Sequence, residues 1–304
     1  MVDSVESPNQ DIVVVIPAYN EWIAIGSVIL ASLRYAGKVI VVDDGSKDRT
    51  SEISRLAGAE VITLSQNVGK TAAILKAFDR AKEVNAKVTI MLDGDGQHDP
   101  ADIPKIAAPI LAEKADLVIG SRFLEQDTTE KIPSYRMAGL KVLNRTNEIS
   151  AGIKCSDAVS GYRGISRTAL HHINFEAGPG CYDIEPQMLS HFVALGLTVA
   201  EVPITVTYDV PHKHKMNPIR QGVSILTGII QTISLKRPLI FFGIPGIICI
   251  LIGMGLATLA IDIARLGDGW PILPTLGTVL FILMGGLFGG VAMILYSLSV
   301  ILRR

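Results

Sequence analysis

Four strand-like runs, at 12–16, 39–42, 60–64 and 88–92, punctuate the first hundred residues. The first reads Ile-Val-Val-Val-Ile. It lacks the alternation of a half-exposed strand, so it predicts a strand covered on both faces. Segments with helical character lie between the runs. They predict a helix at 23–35 closed by Gly37, one reaching about residue 56 with Asp48 as its cap, and one at 71–83. The alternation β-α-β-α-β-α-β predicts an α/β fold with a doubly wound, mostly parallel sheet. Farther on, 116–120 reads as a strand, 134–149 and 182–194 as helices, and 199–208 as an edge strand interrupted by Pro203.

The pattern changes in the last third. After Asn217 and Pro218, a cap and a first-turn proline, Ile219, Val223, Leu226, Ile230 and Ile233 recur at helical spacing. Arg220, Gln221, Ser224, Thr227, Gln231 and Ser234 take the other face. Such an amphipathic helix either packs on the preceding domain or lies in a membrane interface; the apolar span that follows favours the interface. Residues 239–261 and 275–302 carry no charged side chain, and each is long enough for a bilayer core of ~30 Å. Lys236 and Arg237 precede the first span, and Arg303 and Arg304 follow the second. The positive-inside rule therefore places both chain ends in the cytoplasm. Gly285, Gly286, Gly289 and Gly290 suit close packing of the two helices or a homo-oligomer formed through them. The chain is expected to divide into a cytoplasmic domain at 1–210, a loop and interfacial helix at 211–237, and a two-helix transmembrane hairpin at 238–304.

Composition adds limits. The net charge of −1 offers no global field for nucleic acid. The mean hydropathy of +0.40 is high and comes from the last third. Cys155, Cys181 and Cys249 are scattered without metal-site or disulfide spacing. The polar, acidic N-terminus is no signal peptide.

The candidate chemistry sits where predicted strands end. Residues 88–99 read V-T-I-M-L-D-G-D-G-Q-H-D. In an extended segment Asp93, Asp95 and Gln97 share a face, and their oxygens suit a hard cation such as Mg2+ or Mn2+ completed by phosphate oxygens. Taken alone, the stretch also fits a surface turn rich in Asp and Gly. Asp43, Asp44 and Ser46 fit helix caps, and Glu21 a first-turn helix acid. The tips at 17–21, 43–46 and 93–97 would nevertheless share one sheet edge, where parallel α/β folds bind ligands. Gly69-Lys70-Thr71 resembles the end of a phosphate-binding loop, but the glycine required five residues earlier is Leu64. Lys70 either touches a phosphate or faces water. Asp157, Ser160, Gly161, Tyr162 and Arg163 mix turn formers with an arginine suited to an anion. His212-Lys213-His214-Lys215 fits a solvated basic loop or a contact with anionic lipid headgroups.

V-V-V-I-P-A-Y-N-E, V-V-D-D-G-S, N-V-G-K, D-G-D-G-Q, G-S-R and S-G-Y-R occur in the order seen in family 2 glycosyltransferases of the Rossmann-like GT-A fold. The chain most resembles the dolichol-phosphate mannose synthase branch, the polyprenyl-phosphate glycosyltransferases. The resemblance implies inverting transfer of one sugar from a nucleoside-diphosphate sugar, GDP-mannose or a UDP-hexose, to a polyprenyl or dolichyl phosphate. It implies that Pro17, Tyr19, Glu21, Asp43 and Asp44 hold the nucleoside, with Lys70 and Asp93 also on the donor. Asp93, Asp95 and Gln97 would bind Mg2+ or Mn2+, with Asp93 alternatively on the sugar or acting as a base. Arg122, Arg136, Ser160, Arg163, Lys213 and Lys215 would grip the acceptor phosphate, the three arginines counting with Asp93 and Asp95 as catalytic. A processive polysaccharide synthase of the same fold is disfavoured, because neither Trp22 nor Trp270 completes Q-x-x-R-W. A membrane-anchored sugar-nucleotide scaffold would bind nucleotide and make no lipid-linked product.

Overall fold

The computed structural model describes residues 8–124, 154–174, 184–207, 238–266 and 271–301. The chain divides into two compact units, Met1–Met216 and Asn217–Arg304.

The first unit holds a seven-stranded sheet of β1 (Asn9–Ala18), β2 (Ala36–Asp43), β3 (Glu60–Thr63), β4 (Val88–Met91), β5 (Leu117–Ser121), β6 (Arg163–Ser166) and β7 (Val199–Pro203), in the order β3-β2-β1-β4-β6-β5-β7. β1 runs parallel to β2 and β4, β2 to β3, and β5 to β7. β6 is antiparallel to both its neighbours, β4 and β5. Alternate residues of β1 feed opposite layers. Val13 and Val15 pack with Ile74 and Phe78 of α3 (Lys70–Val84). Val14 and Ile16 pack with Ile25 and Ile29 of α1 (Ile25–Ser32) and Ile106 of α4 (Ile103–Leu111). This is why the run at 12–16 is apolar throughout. From β1 the chain winds outward through β2 to β3, then returns to β4 on the other side of β1. The carboxyl ends of β1 and β4 therefore flank a topological switch point, the usual ligand crevice of such sheets.

Several expectations need correction. Gly37 does not close the first helix, which ends at Ser32. It is the second residue of β2, where a Cβ would lie 2.8 Å from the Gln10 Cα; glycine there admits close approach of β1. Pro17 does not end the first strand, which continues to Ala18. Arg163–Ser166 is a central strand rather than part of a turn. The helix α4 packs over it, with a Cβ on Gly164 falling 2.7 Å from Ile106 Cγ2. Three further helices are α2 (Thr50–Leu56), α5 (Arg167–His171) and α6 (Ile184–Ala194). The expected helix at 134–149, the basic cluster at 212–215 and the amphipathic helix after Pro218 lie outside the described residues.

The second unit contains α7 (Ile244–Arg265), entered through a π-helical turn at Leu239–Gly243, and α8 (Ile272–Ile301). Leu239–Arg265 and Ile272–Leu298 are long and apolar enough to cross a membrane, with mean hydropathies of 2.5 and 2.3. In the most apolar 18 residues of each, only 17% and 11% are buried, whereas a soluble core helix would be mostly covered. Glycines set the contact between the two helices. A Cβ on Gly285 would lie 2.7 Å from the Gly246 carbonyl oxygen, and one on Gly253 would lie 2.8 Å from Ile282 Cγ1. Gly286, Gly289 and Gly290 would meet nothing within 4 Å.

Candidate active site

A cavity of about 400 Å³ opens at the switch point. Pro17, Ala18, Tyr19 and Glu21 reach it from the end of β1, and Asp93, Gly94 and Asp95 from the end of β4. Asn67, Gly69, Lys70 and Ala73 line it from the start of α3, and Asp44 from beyond β2. The expected donor residues Pro17, Tyr19, Glu21, Asp44, Lys70 and Asp93 are thus brought together.

Local hydrogen bonds shape this edge. The Asn20 and Glu21 amides donate to Ser46 Oγ and Thr50 Oγ1, both at 2.9 Å, tying the β1 tip to the segment after β2. Asp44 accepts from the Val68 and Gly69 amides at 2.8 and 2.9 Å, fixing the entry to α3. Gly45, at φ +70°, lets the backbone of Gln66 and Asn67 approach where a Cβ would collide with it. Asp43 is buried beneath this layer, accepting from the Ser46 amide at 3.0 Å and from the Ser51 hydroxyl. It supports the loop, and its carboxylate is not among the cavity-lining groups.

Lys70 bridges two acids, with Nζ 2.8 Å from Asp93 Oδ1 and 3.2 Å from Glu185 Oε1. It lines the cavity with its side chain about half exposed, already paired to both carboxylates. Burial opposes its charge, yet the two carboxylates outweigh burial and raise its pKa. Burial likewise pushes the Asp93 carboxyl up, but Lys70 first, then His98 and to a lesser degree Arg122, hold it below the usual range. At Asp95 burial and then the Asp93 charge raise the carboxyl, and they outweigh the 2.9 Å bond from the Gln97 amide and the weaker pull of His98 and Lys70. Glu21 is raised to about 7, by burial first and then by Asp95, Asp93 and Asp48. Four acids (Glu21, Asp44, Asp93 and Asp95) and one lysine line the cavity, so acids of like sign crowd one point. Gly161 is needed here because a Cβ would stand 3.0 Å from Asp93 Oδ2.

The arginines fare differently. Arg122 is clamped by Asp157, with Nε to Oδ2 at 2.6 Å and Nη2 to Oδ1 at 2.7 Å. Its side chain is 13% exposed. Arg163 corrects an expectation. It is fully buried and donates to three carbonyls, those of Ser160 (2.8 Å), Glu185 (2.7 Å) and Ala158 (2.6 Å). A guanidinium committed in this way holds the fold and does not grip a substrate phosphate. Ser160 is also buried, with its hydroxyl accepting from the Tyr162 amide at 3.4 Å, and is not presented to an acceptor. Arg136, Lys213 and Lys215 lie outside the described residues.

Four site residues escaped the sequence reading of roles. Glu185, in the first turn of α6, is buried against Lys70. Asp157, taken as a turn former, positions Arg122. His98 is buried under the acidic tip, 5.0 Å from the Tyr162 ring, with Nδ1 accepting from the Asp93 amide at 3.4 Å. Burial lowers its pKa against the opposing pull of Asp93 and Asp95. Glu201 of β7 accepts from the Ser156 and Asp157 amides. The run D-G-D-G-Q-H contained a signal for His98, since the histidine immediately follows the acidic tip.

No three His, Cys, Asp or Glu side chains converge as a ready-made metal site among the described residues. The donor set at the tip, two carboxylates and the Gln97 amide, still has the hard-oxygen chemistry that a partly coordinated Mg2+ or Mn2+ takes. Its unrelieved like charge, seen in the raised Asp95 and Glu21, is what a cation relieves.

An acidic tip beside a cavity at the switch point of a mostly parallel sheet is the arrangement of an α/β ligand-binding site. The chain belongs to glycosyl transferase family 2, whose family profile matches residues 13–173; it is a glycosyltransferase. It is 31% identical over 212 residues to the polyprenol monophosphomannose synthase of Mycolicibacterium smegmatis, covering 66% of this chain and 78% of that one. It is 30% identical over 216 residues to the UDP-N-acetylglucosamine–dolichyl-phosphate N-acetylglucosaminyltransferase of Methanococcus voltae, covering 65% and 86%. In fold it resembles glucosyl-3-phosphoglycerate synthase of Mycobacterium tuberculosis, solved with Mn2+, UDP and phosphoglyceric acid. That match has a TM-score of 0.54 and 24% identity, covering 75% of this chain and 78% of that one.

Proposed function

We propose that the protein transfers a single sugar from a nucleoside-diphosphate sugar to a polyprenyl or dolichyl phosphate, inverting the anomeric centre, with a divalent cation, at the cytoplasmic face of the cell membrane. The observation that carries this reading is the charge of the cavity, with four acids against one lysine already bound to two carboxylates. A diphosphate entering it meets repulsion unless a cation comes with it. The start of the 15-residue helix α3 lines the same cavity, and a helix N-terminus favours phosphate. The acceptor class is supported by the names of the two lipid-phosphate relatives and by two helices apolar enough to reach the lipid. The cytoplasmic orientation rests on Lys236, Arg237, Arg303 and Arg304 at the ends of the apolar spans.

In this reading Pro17, Tyr19, Glu21 and Asp44 hold the nucleoside, and Lys70 and the start of α3 face the diphosphate. Asp95 and Gln97, with Asp93 beside them, would hold Mg2+ or Mn2+, which when bound neutralises the leaving diphosphate. Arg122 meets the acceptor phosphate, joined by Arg136, Lys213 and Lys215. A phosphate monoester has its second pKa near ~6 and is already an anion at neutral pH, so the nucleophile needs no strong general base. Attack from the face opposite the diphosphate inverts the anomeric carbon. Asp93, held ionised by Lys70, keeps a fixed negative charge at the tip. Asp95→Ala is expected to lower transfer by at least about 100-fold while the thermal transition and circular dichroism stay those of the wild type. Near-normal transfer in that variant would overturn the cation assignment.

A further inference from the structure

We propose that Glu201 is a positioning residue for Arg122, acting through the turn at 155–157 and Asp157. The proposal rests on the reading of Arg122 as a cation for the acceptor phosphate and adds the device that aims it. β7 lies beside β5, with Glu201 opposite Ile119. Arg122 follows directly after the end of β5 at Ser121. The Glu201 carboxylate gathers the neighbouring turn. Oε1 accepts from the Ser156 amide (2.9 Å), the Ser156 hydroxyl (2.7 Å), the Asp157 amide (3.3 Å) and the Cys155 thiol (3.5 Å), and Oε2 lies 3.0 Å from the same Ser156 amide. Ser156 Oγ is also 2.5 Å from Ser121 Oγ, so the turn is tied to the strand that carries Arg122.

The turn held in this way presents Asp157, whose side chain is fully buried. Its two oxygens take Nε and Nη2 of Arg122, and Oδ2 also accepts the Arg122 amide at 3.2 Å. A bidentate carboxylate fixes the plane of a guanidinium as well as its place. Arginine on a flexible stem loses rotamer entropy each time it meets an anion. One pre-set by Asp157, itself pre-set by Glu201, loses less. Glu201 touches neither cavity nor substrate in this arrangement; it acts only by holding the turn.

The test uses the full chain in detergent, varying polyprenyl phosphate at saturating donor and then the donor at saturating acceptor. Glu201→Gln exchanges an accepting oxygen for an amino group and is expected to raise the acceptor KM about tenfold, with the donor KM within about twofold. Arg122→Ala should raise the acceptor KM further, and the double variant should match Arg122→Ala alone, because both act through one group. Ser156→Ala removes one of the bonds to Glu201 together with the tie to Ser121 Oγ and is expected to give a smaller acceptor-specific rise of about threefold; it also serves if Glu201→Gln does not fold. Calorimetric binding of a short polyprenyl phosphate supplies the same comparison where turnover is low. Equal effects on both substrates, additive effects in the double variant, or a lowered thermal transition with unchanged acceptor KM would overturn the proposal. An unchanged acceptor KM in Arg122→Ala would instead remove the reading of Arg122 on which it rests.

Discussion

Replacing Arg163 separates a structural arginine from a substrate-binding one. Its guanidinium is completely buried and donates to the carbonyls of Ser160, Ala158 and Glu185. It thereby joins the turn ahead of β6 to the first turn of α6. Arg163→Met fills a similar length but leaves three carbonyls without that donor. Each buried group left unsatisfied costs about 1–3 kcal/mol. Release from burying the cation offsets part of this, since burial already lowers the Arg163 pKa. A net loss of about 3–5 kcal/mol follows, as for other buried charged partners broken on one side. For a unit of this size that is a fall of roughly 10 °C in the thermal transition. Thermal scans of the full chain in detergent at one fixed rate, paired with acceptor titrations of whatever folded fraction remains, supply the two readouts. The expected result is a large fall in the transition with an acceptor KM close to wild type. A wild-type transition with a strongly raised acceptor KM would refute the reasoning and return Arg163 to the phosphate.

Glu21→Gln should remove a pH dependence. A carboxyl raised to about 7 in the fold binds its proton more tightly there than in the unfolded chain, so wild-type stability should fall as pH rises from about 4.5 to 7. The variant should lack that fall and unfold later than wild type at pH 8, read by thermal scans across pH. Lys70→Met removes the cation that holds Asp93 low. The stability this contributes is present above the unfolded aspartate pKa of about 4 and lost below it, so wild type and variant should differ most at neutral pH and converge in acid. Gly285→Val should splay the hairpin, since even a Cβ there falls 2.7 Å from the Gly246 carbonyl; cross-linking yield between cysteines placed on α7 and α8 should drop.

The parallel half of the fold was legible because both layers of the core are written into single runs. Val13 to Ile16 alternate between the α3 and α1 sides, which leaves no polar position in the run. The acidic tip was legible for the same reason, because apolar strands end abruptly in Asp and Gly. β6 was not. Its four residues, Arg163 to Ser166, include a charge and a glycine, and the glycine admits Ile106 and Ile110 of α4. An arginine among turn formers looks the same in sequence whether it meets solvent, a phosphate or three carbonyls; only the packing of α6 and the 158–160 turn decides. Lys70 was ambiguous because its partner Glu185 lies more than a hundred residues away. The loop excluded as a phosphate-binding motif by Leu64 nonetheless opens a helix onto the cavity, since a helix start needs no fixed glycine pattern to do so.

The most direct test of the central claim is a transfer assay on the purified full chain in detergent. It combines polyprenyl phosphate, Mg2+ or Mn2+ and a panel of labelled GDP- and UDP-sugars, and counts label extracted into organic solvent. The account predicts label from a particular donor, dependent on the cation and abolished by chelation. Intact nucleotide binding with no lipid-linked label from any donor would contradict it and favour a membrane-anchored sugar-nucleotide scaffold.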